Sequence, residues 1–313
     1  MESKNNWKGW LYLAPVLILM VVFTFYPLFN TILISFLKDY NYARGDSVLG
    51  SMFQNGITLE NYGYVLGITP KITSSGEKFY YTPVIEYAIP NTFIIVFVTV
   101  PLSIIISLLI AVALNSIKAL TKVFQTIFFV PYVTNAIAIG MVFSVIFAGH
   151  NGLWNSIFHL GDTYWIDMAA PRSKAMFALC VYIIWHALPY KILIFLSGLQ
   201  GIDKQYYQAA KIDAASKFKT FMNVTVPLLS PQIVYVLITS LIGSFKEYSS
   251  VVGLFNGPGT SSGSKNMYTV VYYIYDNISS NTTLAAAAAV ILFIIILIFT
   301  AIQKYVTDKK VHY

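Results

Sequence analysis

Long apolar runs separated by polar segments dominate the chain. Runs long enough to cross a hydrocarbon core, which takes about 20 residues, fall at roughly 10–33, 88–114, 123–147, 174–198, 229–250 and 284–305. They predict an all-α, polytopic protein with six transmembrane helices. The first run is too long for a cleaved signal peptide and lacks a small-x-small pattern before Phe25-Tyr26-Pro27, so it is expected to stay as a helix. Segments 34–87 and 251–283, rich in Tyr, Asn, Gly and Ser, read as long loops on one side of the membrane. On the other side, segment 199–228 reads as amphipathic helix. Apolar or small residues recur there at Ile202, Tyr206, Ala209, Ala210, Ile212, Ala215, Phe218, Phe221 and Val224, with lysines on the opposite face. The run Ala285 to Ala289 offers a small-residue face for close helix packing. The expected organisation is a first helix and loop over 1–87, a five-helix core over 88–305 that includes segment 199–228, and a tail over 306–313.

Composition narrows the class. Of 313 residues 57% are hydrophobic and 11% charged, and the mean hydropathy is +0.67, whereas soluble domains carry roughly 25% charged residues. A soluble globular domain and a disordered chain are both excluded. The single cysteine, Cys180, excludes an intramolecular disulfide and a multi-thiolate metal site.

The formal charge of +7 means different things according to where it lies. On the side of the N-terminus are Lys4, Lys8, Lys118, Lys122, Lys204, Lys211, Lys217, Lys219, Lys304, Lys309 and Lys310, against Glu2, Asp203, Asp213 and Asp308. The opposite side carries seven basic residues and eight acids. By the positive-inside rule both termini are expected in the cytoplasm. The basic excess therefore orients the protein and requires no nucleic acid.

Three apparent motifs dissolve in context. Gly259-Thr260-Ser261-Ser262-Gly263 spells a nucleophile elbow but lies in a Gly/Ser loop rather than on a strand-to-helix turn. No G-x-x-x-x-G-K-[ST] phosphate loop occurs, and His150, His159, His186 and His312 show no ligand spacing. The expectation is a chain with no catalytic residues, no metal and no cofactor of its own.

Within segment 199–228, Gln208-Ala209-Ala210, then Ala214 four residues on, then Val224-Thr225-Val226-Pro227 have the spacing E-A-A-x3-G-x9-I-x-L-P. That pattern resembles the cytoplasmic signature of membrane subunits of binding-protein-dependent ABC importers, with Asp213 and Phe221 where the sugar-importing branch has them. Further matches run in order along the chain: Leu13-Ala14-Pro15, Tyr26-Pro27, Ser35-Phe36, Leu59-Glu60-Asn61-Tyr62, Asn91-Thr92, Leu114-Asn115, Phe129-Val130-Pro131, Gly152-Leu153-Trp154-Asn155, Gly198-Leu199-Gln200-Gly201-Ile202 and Asn256-Gly257-Pro258. Together they resemble maltose-transporter-type permeases. Gln208 replaces the family's Glu, and Ala214 its Gly.

The resemblance implies a six-span permease in a bacterial cell membrane, forming half of a sugar path. It implies as partners a second permease, two ATPase subunits that bind ATP and Mg, and an extracytoplasmic solute-binding protein. Segment 199–228 would fold as two short helices, with Gln208, Ala209, Ala210, Asp213, Ala214 and Pro227 coupling to the ATPase. Polar residues inside spans are expected to face the bundle interior or a wet path. Ser240, Ser244 and Glu247 fall on one face of the fifth span, and His186 and Tyr190 one turn apart on the fourth. By resemblance these five are the expected substrate path. Lys191 is expected to snorkel to the interface. Two competing readings are an ion-gradient-driven secondary transporter, supported only by Glu247, and an intramembrane enzyme, supported only by Cys180 with His186.

Overall fold

A computed structural model describes residues 6–72, 76–80, 82–117, 123, 126–127, 130, 132–149, 152–167, 170–260 and 264–308. Its helices are α1 (Trp7–Ser35), α2 (Val48–Asn55), α3 (Glu60–Val65), α4 (Val84–Ser116), α5 (Ala136–Ile146), α6 (Leu153–Phe158), α7 (Arg172–Gln200), α8 (Lys204–Ile212), α9 (Lys217–Leu228), α10 (Ser230–Phe245), α11 (Ser249–Phe255), α12 (Val270–Asn277) and α13 (Thr282–Asp308). A two-stranded antiparallel ribbon pairs β1 (Lys71–Ile72) with β2 (Lys78–Phe79).

Four helices, α1, α4, α7 and α13, are long and apolar enough to cross a membrane, and they coincide with the first, second, fourth and sixth predicted spans. The fifth does not extend to residue 250 as predicted. Helix α10 has 16 residues, bends by 68° from α9, and stops at Phe245. Backbone turns at Lys246 and Glu247 end it, and α11 starts anew. Of the third predicted span, much of 123–131 lies outside the described residues, and its remainder is the shorter helix α5. The segments expected as loops contain α2, α3, α11 and α12, which are too short to show a helical period.

The chain divides into two units, residues 1–85 with 273–294, and residues 86–272 with 295–313. In the first, Ile34, Leu37, Tyr40 and Ala286 form a small core. The L-x-N-Y motif closes the end of α1: Asn61 Nδ2 donates to the carbonyls of Ser35 and Leu37 at 2.9 Å each, and the Tyr62 hydroxyl meets Ser35 Oγ at 2.7 Å. Asn41 Nδ2 donates to the Ser280 carbonyl at 3.1 Å, and Tyr42 N to Thr282 Oγ1 at 3.0 Å, which fastens the loop to the start of α13.

The second unit is built on α4 against α7. The face of α4 turned inward carries Asn91, Thr92, Thr99, Ser103 and Ser107 among its buried residues. Its exposed face carries Ile94, Phe97, Val98, Leu102, Ile105 and Leu109. This reverses the pattern of a soluble helix and suits a solvent of lipid, where small and polar residues mediate helix contact. Two apolar clusters flank the contact, one around Phe147, Leu179 and Tyr182, the other around Val100, Phe195, Leu196 and Leu229. Phe299 of α13 packs on Phe93, Phe97 and Phe245 with ring centroids 5.5–5.6 Å apart.

Glycine permits one very close crossing, between α5 and α11. A Cβ on Gly140 would lie 2.6 Å from Gly253 Cα, and one on Gly253 would lie 2.9 Å from the Ile137 carbonyl oxygen. Asn91, fully buried, joins three segments. Its Nδ2 donates to the carbonyls of Asn266 (2.9 Å) and Tyr268 (2.8 Å), and its Oδ1 accepts from the Arg172 guanidinium at 2.7 and 3.1 Å. Asn155 braces its surroundings in the same way, donating to the carbonyls of Gly149 and Thr163 and accepting from Trp165 Nε1, each at 2.8 Å.

Three π-turns have one cause. They span Val21–Phe25, Val84–Ala88 and Phe221–Thr225, and each ends two residues before a proline, Pro27, Pro90 or Pro227. Proline lacks an N–H and its ring collides with the carbonyl four residues back. One extra residue in the turn relieves both problems.

Candidate functional site

Two places on the second unit carry the predicted functional residues. The first is the pair α8 and α9. Asp203 caps α8, its carboxylate accepting from Gln205 N at 2.9 Å. The helix ends after Ile212. Ala215 N donates to the Ala210 carbonyl (2.9 Å) and Ala214 N to that of Lys211 (3.1 Å), the paired bonds of a Schellman motif. The residue at its left-handed position is Ala214, with φ of 49°. Glycine is the usual occupant, and the left-handed conformation costs an L-residue about 1–2 kcal/mol. Ser216 then caps α9 by accepting from Lys219 N at 3.3 Å. Tyr207 meets Thr225 with hydroxyl oxygens 3.3 Å apart, joining the two helices.

Ala210 faces inward, while Gln208, Ala209, Asp213, Ala214 and Pro227 are exposed. The apolar period read from the sequence does not make a buried stripe. Ile212 and Phe218 are 85% and 74% exposed, and Tyr206 and Met222 are open too. The surface of this helix pair thus combines apolar side chains with Lys204, Lys211, Lys217 and Lys219.

The second place is a cavity of about 290 Å³ between α7 and α10. It is lined by all five residues of the predicted path, His186, Tyr190, Ser240, Ser244 and Glu247, and also by Tyr132, Lys191, Thr239 and Ser250. Glu247 reaches it from the turn after α10 rather than from the helical face that the spacing predicts. Its Oε1 accepts from Ser250 N at 2.9 Å, and its backbone carbonyl accepts from Thr269 Oγ1 at 2.7 Å. The hydroxyls of Ser240 and Ser244 are not engaged by any neighbour among the described residues. Nε2 of His186 is buried without a hydrogen-bond partner.

Tyr190 is held on two sides. Its ring stacks on Tyr132, with centroids 5.4 Å apart and planes at 17°, and its hydroxyl lies 3.2 Å from that of Tyr235. Both Tyr132 and Tyr190 also line a neighbouring cavity of about 630 Å³ toward Ser197, Gly201 and Gln232. The tyrosine pair therefore forms the shared wall between the two spaces.

Lys191 does not snorkel. It is 4% exposed, and its Nζ donates to Ser103 Oγ on α4 at 2.5 Å. Its place toward one end of a span suggests the interface, but the serines and threonines along α4 are the signal that this end of α7 faces polar groups. Of the other sequence features, Ser261, Ser262 and Gly263 lie outside the described residues, as do Phe129 and Pro131. Cys180 and His186 are both on α7, where a separation of six residues puts them on poorly matched faces.

Comparison with known proteins places the chain in a group. A family model described as the binding-protein-dependent transport system inner membrane component matches residues 103–312. The arabinooligosaccharides transport system permease protein AraP of Bacillus subtilis (strain 168) is 32% identical over 85% of this chain and 77% of its own length. The lactose transport system permease protein LacF of Rhizobium radiobacter is 28% identical over 86% of this chain and 82% of its own. The trehalose/maltose permease protein MalF of Thermococcus litoralis (strain ATCC 51850 / DSM 5473 / JCM 8560 / NS-C) is 27% identical over 85% and 83%. In fold, the chain is similar to one chain of a bacterial ABC transporter involved in import of the acidic polysaccharide alginate, with a TM-score of 0.75, 17% identity, and coverage of 98% of this chain and 96% of that one.

Proposed function

Since the chain belongs to the family of inner membrane components of binding-protein-dependent transport systems, we propose that it conducts a carbohydrate across the membrane as one permease of an ATP-driven importer. It is a multi-pass translocation subunit, not an enzyme. The observation that carries the path is the cavity lined by His186, Tyr190, Ser240, Ser244 and Glu247. Serine hydroxyls donate to and accept from sugar hydroxyls, a carboxylate oxygen accepts from them, and an aromatic ring suits the apolar face of a pyranose. The relatives named for arabinooligosaccharides, lactose and trehalose or maltose support a saccharide over other solutes.

In this reading the exposed surface of α8 and α9 docks on a cytoplasmic ATPase. Gln208, Ala209, Asp213 and Ala214 present the contact, while buried Ala210 and the proline turn at Pro227 fix its orientation. ATP and Mg belong to two such ATPases. A second permease completes the path, and an extracytoplasmic solute-binding protein delivers the sugar. Both termini lie in the cytoplasm, residues 88–305 form the permease core with its coupling segment at 199–228, residues 1–87 an N-terminal helix and loop, and 306–313 a tail.

Two measurements test this. Mass spectrometry of what co-purifies with the chain from gently solubilised membranes is expected to show an ATPase, a related permease and a binding protein. Uptake of labelled saccharides by cells is expected to fall by an order of magnitude or more in Ser244→Val, the loss of one or two hydrogen bonds to the solute, with protein level unchanged. Uptake that survives ATP depletion and collapses with a protonophore would overturn the reading.

A further inference from the structure

The lysine in the cavity wall is unexplained by a path for neutral sugars. Lys191 is 4% exposed in this chain, and it lines the cavity. Of the three protons an ammonium offers, one is taken by Ser103, whose hydroxyl itself donates to the Thr99 carbonyl. Among the described residues no carboxylate pairs with it. A buried ammonium with one neutral partner is expensive in any protein and more so inside a membrane, where such residues mark the route of a solute.

The other ionisable groups of the same cavity are His186 and Glu247. Glu247 has one carboxylate oxygen committed to the Ser250 amide, at the turn beyond α10. Lys191 lies on α7 beside α4. A solute with hydroxyls at one end and an anion at the other satisfies both: hydroxyls donate to Glu247, and the anion accepts the remaining protons of Lys191.

We propose that Lys191 is a specificity-determining residue that selects a carbohydrate bearing an anionic group, a carboxylate or a phosphate, against its neutral counterpart. The proposal rests on the cavity being the sugar path. A charge-assisted hydrogen bond to the ammonium, formed where water is excluded, supplies the discrimination. At about 290 Å³ the cavity lies at the small end of ligand sites, which suits one sugar ring at a time.

The test uses the purified, intact transporter without its binding protein, titrated by saturation-transfer NMR with glucuronate, glucose 6-phosphate and glucose. One of the two anions is expected to bind at least about tenfold more tightly than glucose, the effect of one charge-assisted hydrogen bond, with an affinity that declines in salt. Preference for glucuronate identifies a carboxylate, and preference for glucose 6-phosphate a phosphate. Lys191→Gln is expected to abolish the preference while glucose binding stays, and Lys191→Arg to keep part of it. Equal binding of all three probes overturns the proposal and leaves the sugar path intact. Saturable binding of none overturns both. Should Lys191→Gln fail to assemble, the ranking of the three probes and its salt dependence in the unaltered protein decide the matter.

Discussion

Ala214 shows how a single methyl group can matter. It occupies the left-handed position of a Schellman turn that joins α8 to α9, where a Cβ is unfavourable by about 1–2 kcal/mol. Ala214→Gly is therefore expected to stabilise the turn by about 1 kcal/mol, read as a higher thermal midpoint of the solubilised transporter. Gln208→Glu adds a charge on the same exposed surface, and a charge-assisted hydrogen bond is roughly twice as strong as a neutral one. If α8 docks on an ATPase, that variant raises transport-coupled ATP hydrolysis; unchanged hydrolysis would count against the docking role of residue 208. Asp46 makes a prediction about pH. Its carboxylate accepts from Asn41 N at 2.9 Å and from the Arg44 guanidinium at 2.9 and 3.1 Å, which holds its pKa below the usual carboxylate value. A lowered pKa adds stability that is complete above the ordinary carboxylate range and disappears as pH falls through the lowered value. Protection of the Asn41 amide, its exchange rate taken relative to the unfolded chain at the same pH, is expected to fall on that acid side, and in Asp46→Asn to be low at every pH. Several of these residues were visible in the sequence, but their roles were not. Asn61, Asn91 and Asn155 stand out as parts of motifs, while the carbonyls they brace, such as those of Ser35 and Tyr268, are unexceptional letters that only folding brings near.

Helices longer than twenty residues were legible because a bilayer requires a continuous apolar length, and α4, α7 and α13 match their predicted extents to within a few residues. Shorter elements were not. Helix α11, seven residues long, takes the last two residues of the predicted 229–250 span into the segment read as loop from 251, because the backbone turn at Lys246 and Glu247 that separates it from α10 is not registered by hydropathy. The crossing of α5 and α11 is likewise invisible to periodicity, being set by Gly140 and Gly253 meeting face to face. Gly140→Ala is expected to push the helices apart at a cost of about 1–3 kcal/mol, with a lower thermal midpoint. The control Ser144→Ala, at a half-buried serine of α5 that bonds only its own helix, should leave the midpoint nearly unchanged, and equal midpoints for the two variants would refute the close crossing.

At the scale of the whole chain, hydropathy fixed the class of protein and motif spacing its family, while the cavity that carries the proposed path needed three dimensions. Ser240 and Ser244 share a helix face by simple arithmetic, but Glu247 reaches the same cavity from a turn, and Lys191 enters it from a position that looked interfacial. The inverted pattern of α4, with serines and threonines inward and Ile94, Phe97, Leu102, Ile105 and Leu109 outward, separates two tasks that a soluble protein merges. The residues that specify which helix meets which are not the residues that hold the molecule in its solvent. Exchanging the outward set for glutamate and lysine is expected to leave the α4–α7 contact in place, checked by a cysteine pair across it that still cross-links once the protein is out of detergent. The bilayer would then be the medium this bundle lives in, and not the source of its architecture.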